Sequence, residues 1–205
     1  MITTAAISRS SRPMSKTAHE IEIKLAVPDA KRGQRLLRAA GFRVSKGRVF
    51  EANTIFDTPK LALRKSRTLL RVREAGGVRT LTYKGRPDVA KHKSREELEI
   101  EISGARAMSI IFERLGFRPA FRYEKYRTEY RQGGSSGFAT LDETPVGVYL
   151  ELEGTPHWID RTSRKLGFEE KDYITASYAR LYLDWCERRG LKPTNMLFAY
   201  SRRGS

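Results

Sequence analysis

Cysteine is almost absent from this chain: Cys186 is the only one in 205 residues. An internal disulfide is thereby excluded, and the chain suits a reducing compartment, so the expected location is cytoplasmic. Histidine is scarce as well. His19, His92 and His157 are scattered, and none stands at ligand spacing with the cysteine, which argues against zinc. No apolar run approaches the roughly 20 residues needed to cross a bilayer, so a soluble protein without a membrane role is expected. Acid is the third shortage: 24 Asp plus Glu face 40 Lys plus Arg, a formal charge of +16. Such an excess suits nucleic acid, an anionic membrane surface or a small polyanion. Hydrophobic residues still make up 39% of the chain, enough for the core of one large domain.

The acids that are present are ordered. Glu20-Ile-Glu-Ile-Lys24 and Glu151-Leu-Glu153 place charge at alternate positions, with Ile or Leu between. A strand sends alternate side chains to opposite faces, so these charges stand about 6.6 Å apart on one face. Two carboxylates that close repel by roughly 2 kcal/mol at an effective dielectric near 20. A fold that does this twice calls for a cation. Similar alternation runs through Arg71 and Arg73, through Thr80, Thr82 and Lys84, and through Glu97, Glu99 and Glu101. It returns in Lys125, Arg127 and Glu129. Nucleic-acid binders gather basic residues in a stripe with few acids nearby. Here both signs interleave on the same predicted strands, which disfavours nucleic acid and suits an anion held together with its metal.

Three segments follow from composition. Residues 1–18 are acid-free and rich in Ser, Thr, Ala and Arg, and read as a disordered N-terminal tail, with a transit peptide as the second reading. Residues 19–190 form the domain, and 191–205, with Pro193 and a closing Arg-Arg-Gly-Ser, read as a weakly held C-terminal extension. Strands are expected over 19–27, 49–57, 67–75, 78–85, 94–102, 118–131, 137–143 and 147–154. Asp29, Ser103 and Thr155-Pro156 are helix starts, and the helices they open end at Gly41-Phe42, Gly116-Phe117 and Gly167-Phe168. A fourth helix is expected from Asp172 to Arg189, with Ile174, Tyr178, Leu181 and Trp185 on one face. Four helices need apolar surface, and the Ile/Leu/Tyr faces of the strands supply it. The charged faces must then line an interior. The fold class expected is α+β: an eight-stranded antiparallel closed β-barrel, or tunnel, with helices packed outside.

The ordered set of motifs resembles the CYTH superfamily, the triphosphate tunnel metalloenzymes. The N-terminal Glu-x-Glu-x-Lys signature stands as Glu20, Glu22 and Lys24. Then follow Phe56-Asp57-Thr58, Arg71-x-Arg73, Leu81-Thr82-Tyr83-Lys84, Arg95-Glu96-Glu97-x-Glu99, Lys125-x-Arg127, Leu141-Asp142 and the late Glu151-x-Glu153. The resemblance covers residues 19–185 and implies divalent-metal-dependent chemistry on triphosphates. The family includes inorganic, thiamine and RNA triphosphatases and class IV adenylate cyclases. The cyclase branch carries a His-Phe pair near its N-terminus; here His19 is followed by Glu20, which counts against it.

Roles follow from that resemblance and from charge. Glu20, Glu22, Asp142, Glu151 and Glu153 are the expected metal ligands, for Mg²⁺ or Mn²⁺. Lys24, Arg71, Arg73, Lys84, Lys125 and Arg127 are the expected phosphate clamp, with Lys171 at the mouth. Lys84 doubles as a catalytic cation, and Glu99 either orients the attacking water or pairs with a clamp arginine. The expected function is hydrolysis of inorganic triphosphate or a small organic triphosphate by a monomer or homodimer. The alternatives are cyclisation of ATP to cyclic AMP and pyrophosphate, and a non-enzymatic polyanion or nucleic-acid binding module.

Overall fold

In the computed structural model, which describes residues 16–199, nine strands are joined mostly by short turns. They are β1 (Lys16–Val27), β2 (Arg43–Asp57), β3 (Leu69–Ala75), β4 (Val78–Lys84), β5 (Asp88–Val89), β6 (Lys93–Glu101), β7 (Arg118–Arg131), β8 (Phe138–Thr144) and β9 (Gly147–Glu153). Hydrogen bonding runs β1-β9-β8-β7-β2-β3-β4-β6, and β6 pairs back with β1. Every neighbouring pair is antiparallel, so eight strands close a barrel and leave no edge between them, as the alternation predicts. The two-residue β5 is an unforeseen addition alongside β6. Gly76 and Gly77 both take positive φ (56° and 82°) in the β3–β4 hairpin, the conformation that a two-residue turn between twisted strands demands.

Five helices pack outside: α1 (Ala30–Ala39), α2 (Ala62–Ser66), α3 (Ala105–Arg114), α4 (Pro156–Lys165) and α5 (Tyr178–Glu187). Asp29 and Thr155 cap α1 and α4 as expected, accepting from the Arg32 and Trp158 amides, with Pro156 at the first helical position. Ser103 does not cap; α3 starts one residue later, from Gly104, with no side-chain cap. At the ends of α1, α3 and α4 the amides of Phe42, Phe117 and Phe168 donate to the carbonyls of Leu37, Phe112 and Ser163. This closure needs the preceding glycine in a left-handed conformation, and all three have φ between 84° and 87°.

One expectation is corrected. The fourth helix does not begin at Asp172. Residues Glu170–Asp172 form a 3₁₀ turn, and the Ile174 amide and carbonyl exchange two hydrogen bonds of 2.9 Å with Lys24 of β1. Paired to a strand, Ile174 cannot join the helix, which starts after Ser177 has capped Arg180. Of the extension read over 191–205, residues 200–205 lie outside the described residues, and the described part is tied to β7 at Met196. Met196 is buried, its amide donates to the Arg122 carbonyl, and its own carbonyl accepts from Glu124. The tail read over 1–18 falls mostly on residues 1–15, outside the described residues; β1 already begins at Lys16.

The apolar faces pack outward. Ile23, Leu25, Leu141, Leu150 and Leu152 are fully buried in one cluster with Leu37 of α1 and Trp158 and Ile159 of α4. Phe112 of α3 covers Phe56 and Val72, while α5 closes one end of the barrel, laying Tyr178, Tyr182 and Cys186 against Tyr123 and Tyr149 of the inward faces. α2 was not foreseen. Asp57 holds it, accepting from the amides of Thr58, Leu63 and Arg64 at 2.7–2.9 Å, so the Phe56-Asp57-Thr58 motif is structural here. Among the described residues no helix is long and apolar enough to cross a membrane.

Candidate functional site

Helices outside leave the charged faces inside, and these meet in one cavity of about 590 Å³. Glu20, Glu22 and Lys24 reach it from β1, Arg71 and Arg73 from β3, Lys84 from β4, and Glu97 and Glu99 from β6. Lys125 and Arg127 enter from β7, and Glu151 and Glu153 from β9. The two acidic motifs, more than a hundred residues apart in sequence, are cross-strand neighbours, with Glu22 opposite Glu153 and Lys24 opposite Glu151. Ser177 and Tyr178 of α5 line one end.

The charges are paired with one another. Lys84 donates to both oxygens of Glu20 at 2.9 and 2.6 Å and lies 2.9 Å from Glu97. Lys24, almost without solvent contact, sits 3.3 Å from Glu22 and 3.0 Å from Glu151. Lys93 bonds Glu22, and Arg127 bonds Glu151. Burial pushes the Glu22 carboxyl up, yet Lys24, Lys93 and Lys84 hold it well below the usual range. Burial also drives the Lys24 ammonium toward neutrality, and Glu151 and Glu22 more than reverse this. Arg71 lies 3.6 Å from Glu99 and donates to Thr82, whose hydroxyl in turn donates to Glu99 at 2.8 Å. Glu99 is thus engaged by a clamp arginine through one oxygen, Oε2.

Glu153 differs. It has no ion pair among the described residues, and burial, then the neighbouring Glu20 and Glu22, push its carboxyl up to about 8. Positive charge is short there. Among the described residues no three carboxylates stand close enough to ligate one ion as they are arranged. Still, Glu20, Glu22, Glu151 and Glu153 face a common volume. Hard carboxylate oxygens are the donors that Mg²⁺ and Mn²⁺ take, so this set fits such an ion once the lysines re-partner.

Two of the expected site residues lie elsewhere. Lys171 stands on the 3₁₀ turn, largely exposed and paired with Glu169, away from the cavity. Asp142 is fully buried and does not line the cavity. It accepts from Lys125 (2.8 Å), from Arg127 (2.7 and 2.6 Å) and from the Tyr178 hydroxyl (2.7 Å). Its oxygens anchor two clamp cations from behind. Reading the sequence by strands missed several lining residues. Lys93 and Arg95 continue the alternation back from Glu97, so the same period contained them. Glu51, 3.5 Å from Lys125 and 3.6 Å from Arg73, lay on a strand where Val49, Asn53 and Ile55 interrupt the charged pattern of that face. Tyr178 had no signal, because a helix carries it to the barrel end. Ten lysines and arginines and eight glutamates line the cavity, so it is close to neutral and most of the +16 lies outside it.

Residues 18–178 match the CYTH domain family. The chain is 32% identical over 136 residues to a protein named putative adenylate cyclase MJ0240 from Methanocaldococcus jannaschii, covering 65% of this chain and 75% of that one. Among solved structures, the PH1012 protein of Pyrococcus horikoshii is 26% identical with a TM-score of 0.68, over 79% of this chain and 98% of that one. The Hippeastrum protein HpAC1, described as a putative adenylyl cyclase with a dominant triphosphatase activity, superposes with a TM-score of 0.60. That match is 22% identical over 85% of this chain and 97% of that one, and shows the shared fold.

Proposed function

We propose, from the premise that the chain belongs to the CYTH domain family, that it is a divalent-metal-dependent triphosphatase. Its substrate would be inorganic triphosphate or a small organic triphosphate. One observation carries the reading: a closed barrel whose interior holds cations from six strands facing acids from opposite ends of the chain. Lys24, Arg71, Arg73, Lys84, Lys125 and Arg127 bind the phosphate oxygens, the arginines bidentately and the lysines as point charges. Glu20, Glu22, Glu151 and Glu153 would hold Mg²⁺ or Mn²⁺, which neutralises phosphate charge and activates water. Asp142 and Tyr178 keep Lys125 and Arg127 aimed inward. Glu99 uses Oε2 for Thr82 and Arg71, leaving Oε1 to orient a water. Phosphoryl transfer depends chiefly on positioning and charge stabilisation, and a pre-formed clamp supplies both.

A second reading is cyclisation of ATP to cyclic AMP and pyrophosphate, favoured by the name of the M. jannaschii relative. The ribose hydroxyl would then replace water as nucleophile. Phosphate release from tripolyphosphate, ATP and thiamine triphosphate, with chromatography for cyclic AMP, separates the two. The triphosphatase reading expects metal-dependent phosphate from at least one of them, abolished by Glu22→Gln or Glu151→Gln. Cyclic AMP and pyrophosphate as the dominant products from ATP would overturn it.

A further inference from the structure

The barrel has one row of residues that leaves the phosphate clamp behind. Across neighbouring strands Arg131 stands opposite Phe138, Phe138 opposite Glu153, Glu153 opposite Glu22, and Glu22 opposite Lys93. The row therefore joins an exposed arginine and an aromatic ring directly to the acidic cluster. Phe138 lies at the end of the tunnel away from α5. On the same strand Asp142, four residues on and so about 13 Å further along, receives the Tyr178 hydroxyl of α5. Beside this lip is a second, smaller cavity of about 280 Å³, lined by His19, Ile21, Ser136, Phe138, Glu153 and Thr155 among others. Phe138 and Glu153 line both cavities, so the niche adjoins the acidic end of the tunnel.

The lip is built to stay in place. A methyl group added at Gly137, next to Phe138, would come within 2.5 Å of the Trp158 ring, and one at Gly154, next to Glu153, within 2.9 Å. Both backbones are pressed onto a buried tryptophan, and only glycine allows that approach. Phe138 and Glu153 are thereby held on a rigid edge. The Arg131 guanidinium lies over the Phe138 ring, 4.9 Å from its centroid, making a cation–aromatic pair at the lip. Such a pair favours a neutral ring over a cationic one. His19, fixed by a 2.9 Å bond to Ser94, and the Ser136 and Thr155 side chains offer both donors and acceptors to a ring edge. At about 280 Å³ the niche lies just under the roughly 300 Å³ at which small-molecule sites begin, room for one ring system and no more.

We propose that this niche is a specificity subsite, in which Phe138 stacks the base of a nucleoside triphosphate whose phosphates occupy the tunnel. The inference rests on the triphosphatase reading and deepens it. Phe138 would add a contact that only a substrate with a base can use, so it sets selectivity between organic and inorganic triphosphates.

The test is the ratio of kcat/KM for ATP to that for tripolyphosphate, in the wild-type protein, Phe138→Ala and Phe138→Trp. Stacking on one aromatic corresponds to a loss of about tenfold or more when the ring is removed. Phe138→Ala is expected to lower the ratio by that factor through KM for ATP, with kcat little changed, and Phe138→Trp to restore it. Equal losses on both substrates, or no change in the ratio, would overturn the subsite. Should the wild-type protein release no phosphate from either compound, the triphosphatase reading fails separately. Equilibrium binding of ATP to the same three proteins then still decides the subsite: about tenfold weaker with alanine and recovered with tryptophan supports it, and equal affinities refute it.

Discussion

Without a divalent cation, the protein should lose stability as pH rises from about 5 to 8, and Glu153 should be the cause. Its carboxyl is shifted from 4.5 to about 8 by burial first, then by Glu20 and Glu22. Between those values the folded protein keeps a proton that the unfolded chain has released. More protons on the native state mean that stability falls with pH, at about 1.36 kcal/mol per pH unit for one group. The contribution is complete below 4.5 and lost as pH climbs through about 8, a span worth about 5 kcal/mol at most. Water reaching the half-buried side chain trims this to about 2–4 kcal/mol. Glu22 and Glu51 act in a different window. Both are held below their usual value, so their stabilisation is complete above it and fails only as pH drops lower still. The assay is urea unfolding of wild type and Glu153→Gln at pH 5, 6, 7 and 8 in EDTA, then with Mg²⁺. Glutamine cannot ionise, so the difference between the two slopes isolates this group. Mg²⁺ should stabilise wild type more at pH 8 than at pH 6, because binding must displace the proton. Coincident slopes for the two proteins in EDTA would refute the reasoning.

Lys24→Met should destabilise the protein by about 3–5 kcal/mol in urea unfolding, because Glu22 and Glu151 lose a buried partner, and should reduce phosphate release at least 100-fold. Asp142→Asn should cost about 3 kcal/mol by the same measurement, since Lys125 and Arg127 lose their anchor. Its Mg²⁺ affinity by calorimetry should stay within about twofold, whereas Glu20→Gln should weaken it about tenfold or more, as removing a carboxylate that faces the cation does. Lys171→Ala should change stability by less than about 0.5 kcal/mol and leave turnover unaltered, since this side chain is exposed and far from the cavity.

The barrel was legible because its signal is local and repeated. Glu20-Ile-Glu-Ile-Lys24 states in five residues which face of β1 is polar, and five other strands say the same. A period of two, combined with helices in need of apolar cover, leaves one arrangement of faces. Lys171 was misplaced because a lone charge after a helix carries no facing information. Asp142 was placed on the correct face but at the wrong depth, since alternation gives direction and not distance from solvent. What covers it is Tyr178, on a helix whose start was read six residues early. The local pattern from Ile174 onward is helical, but Lys24 offers Ile174 two strand-like hydrogen bonds, and tertiary pairing prevails over propensity.

The pairing inside the tunnel bears on how a ligand enters. Lys84 holds Glu20, Lys93 holds Glu22, and Arg127 holds Glu151. A triphosphate arriving alone would take the cations and leave these buried carboxylates without partners, a loss of several kcal/mol for each pair broken. A cation arriving alone faces the converse: the carboxylates turn to it, and the lysines are stranded. On the proposed reading, only joint arrival would re-partner both sets, the cations turning to phosphate oxygens and the glutamates to the metal. Each ligand must then raise the affinity of the other by the same factor, since coupling of binding equilibria is reciprocal. Such an interior discriminates against lone anions by the cost of its own unmade pairs. The same pairs explain how a lining of eighteen charged side chains, ten basic and eight acidic, can exist inside one barrel.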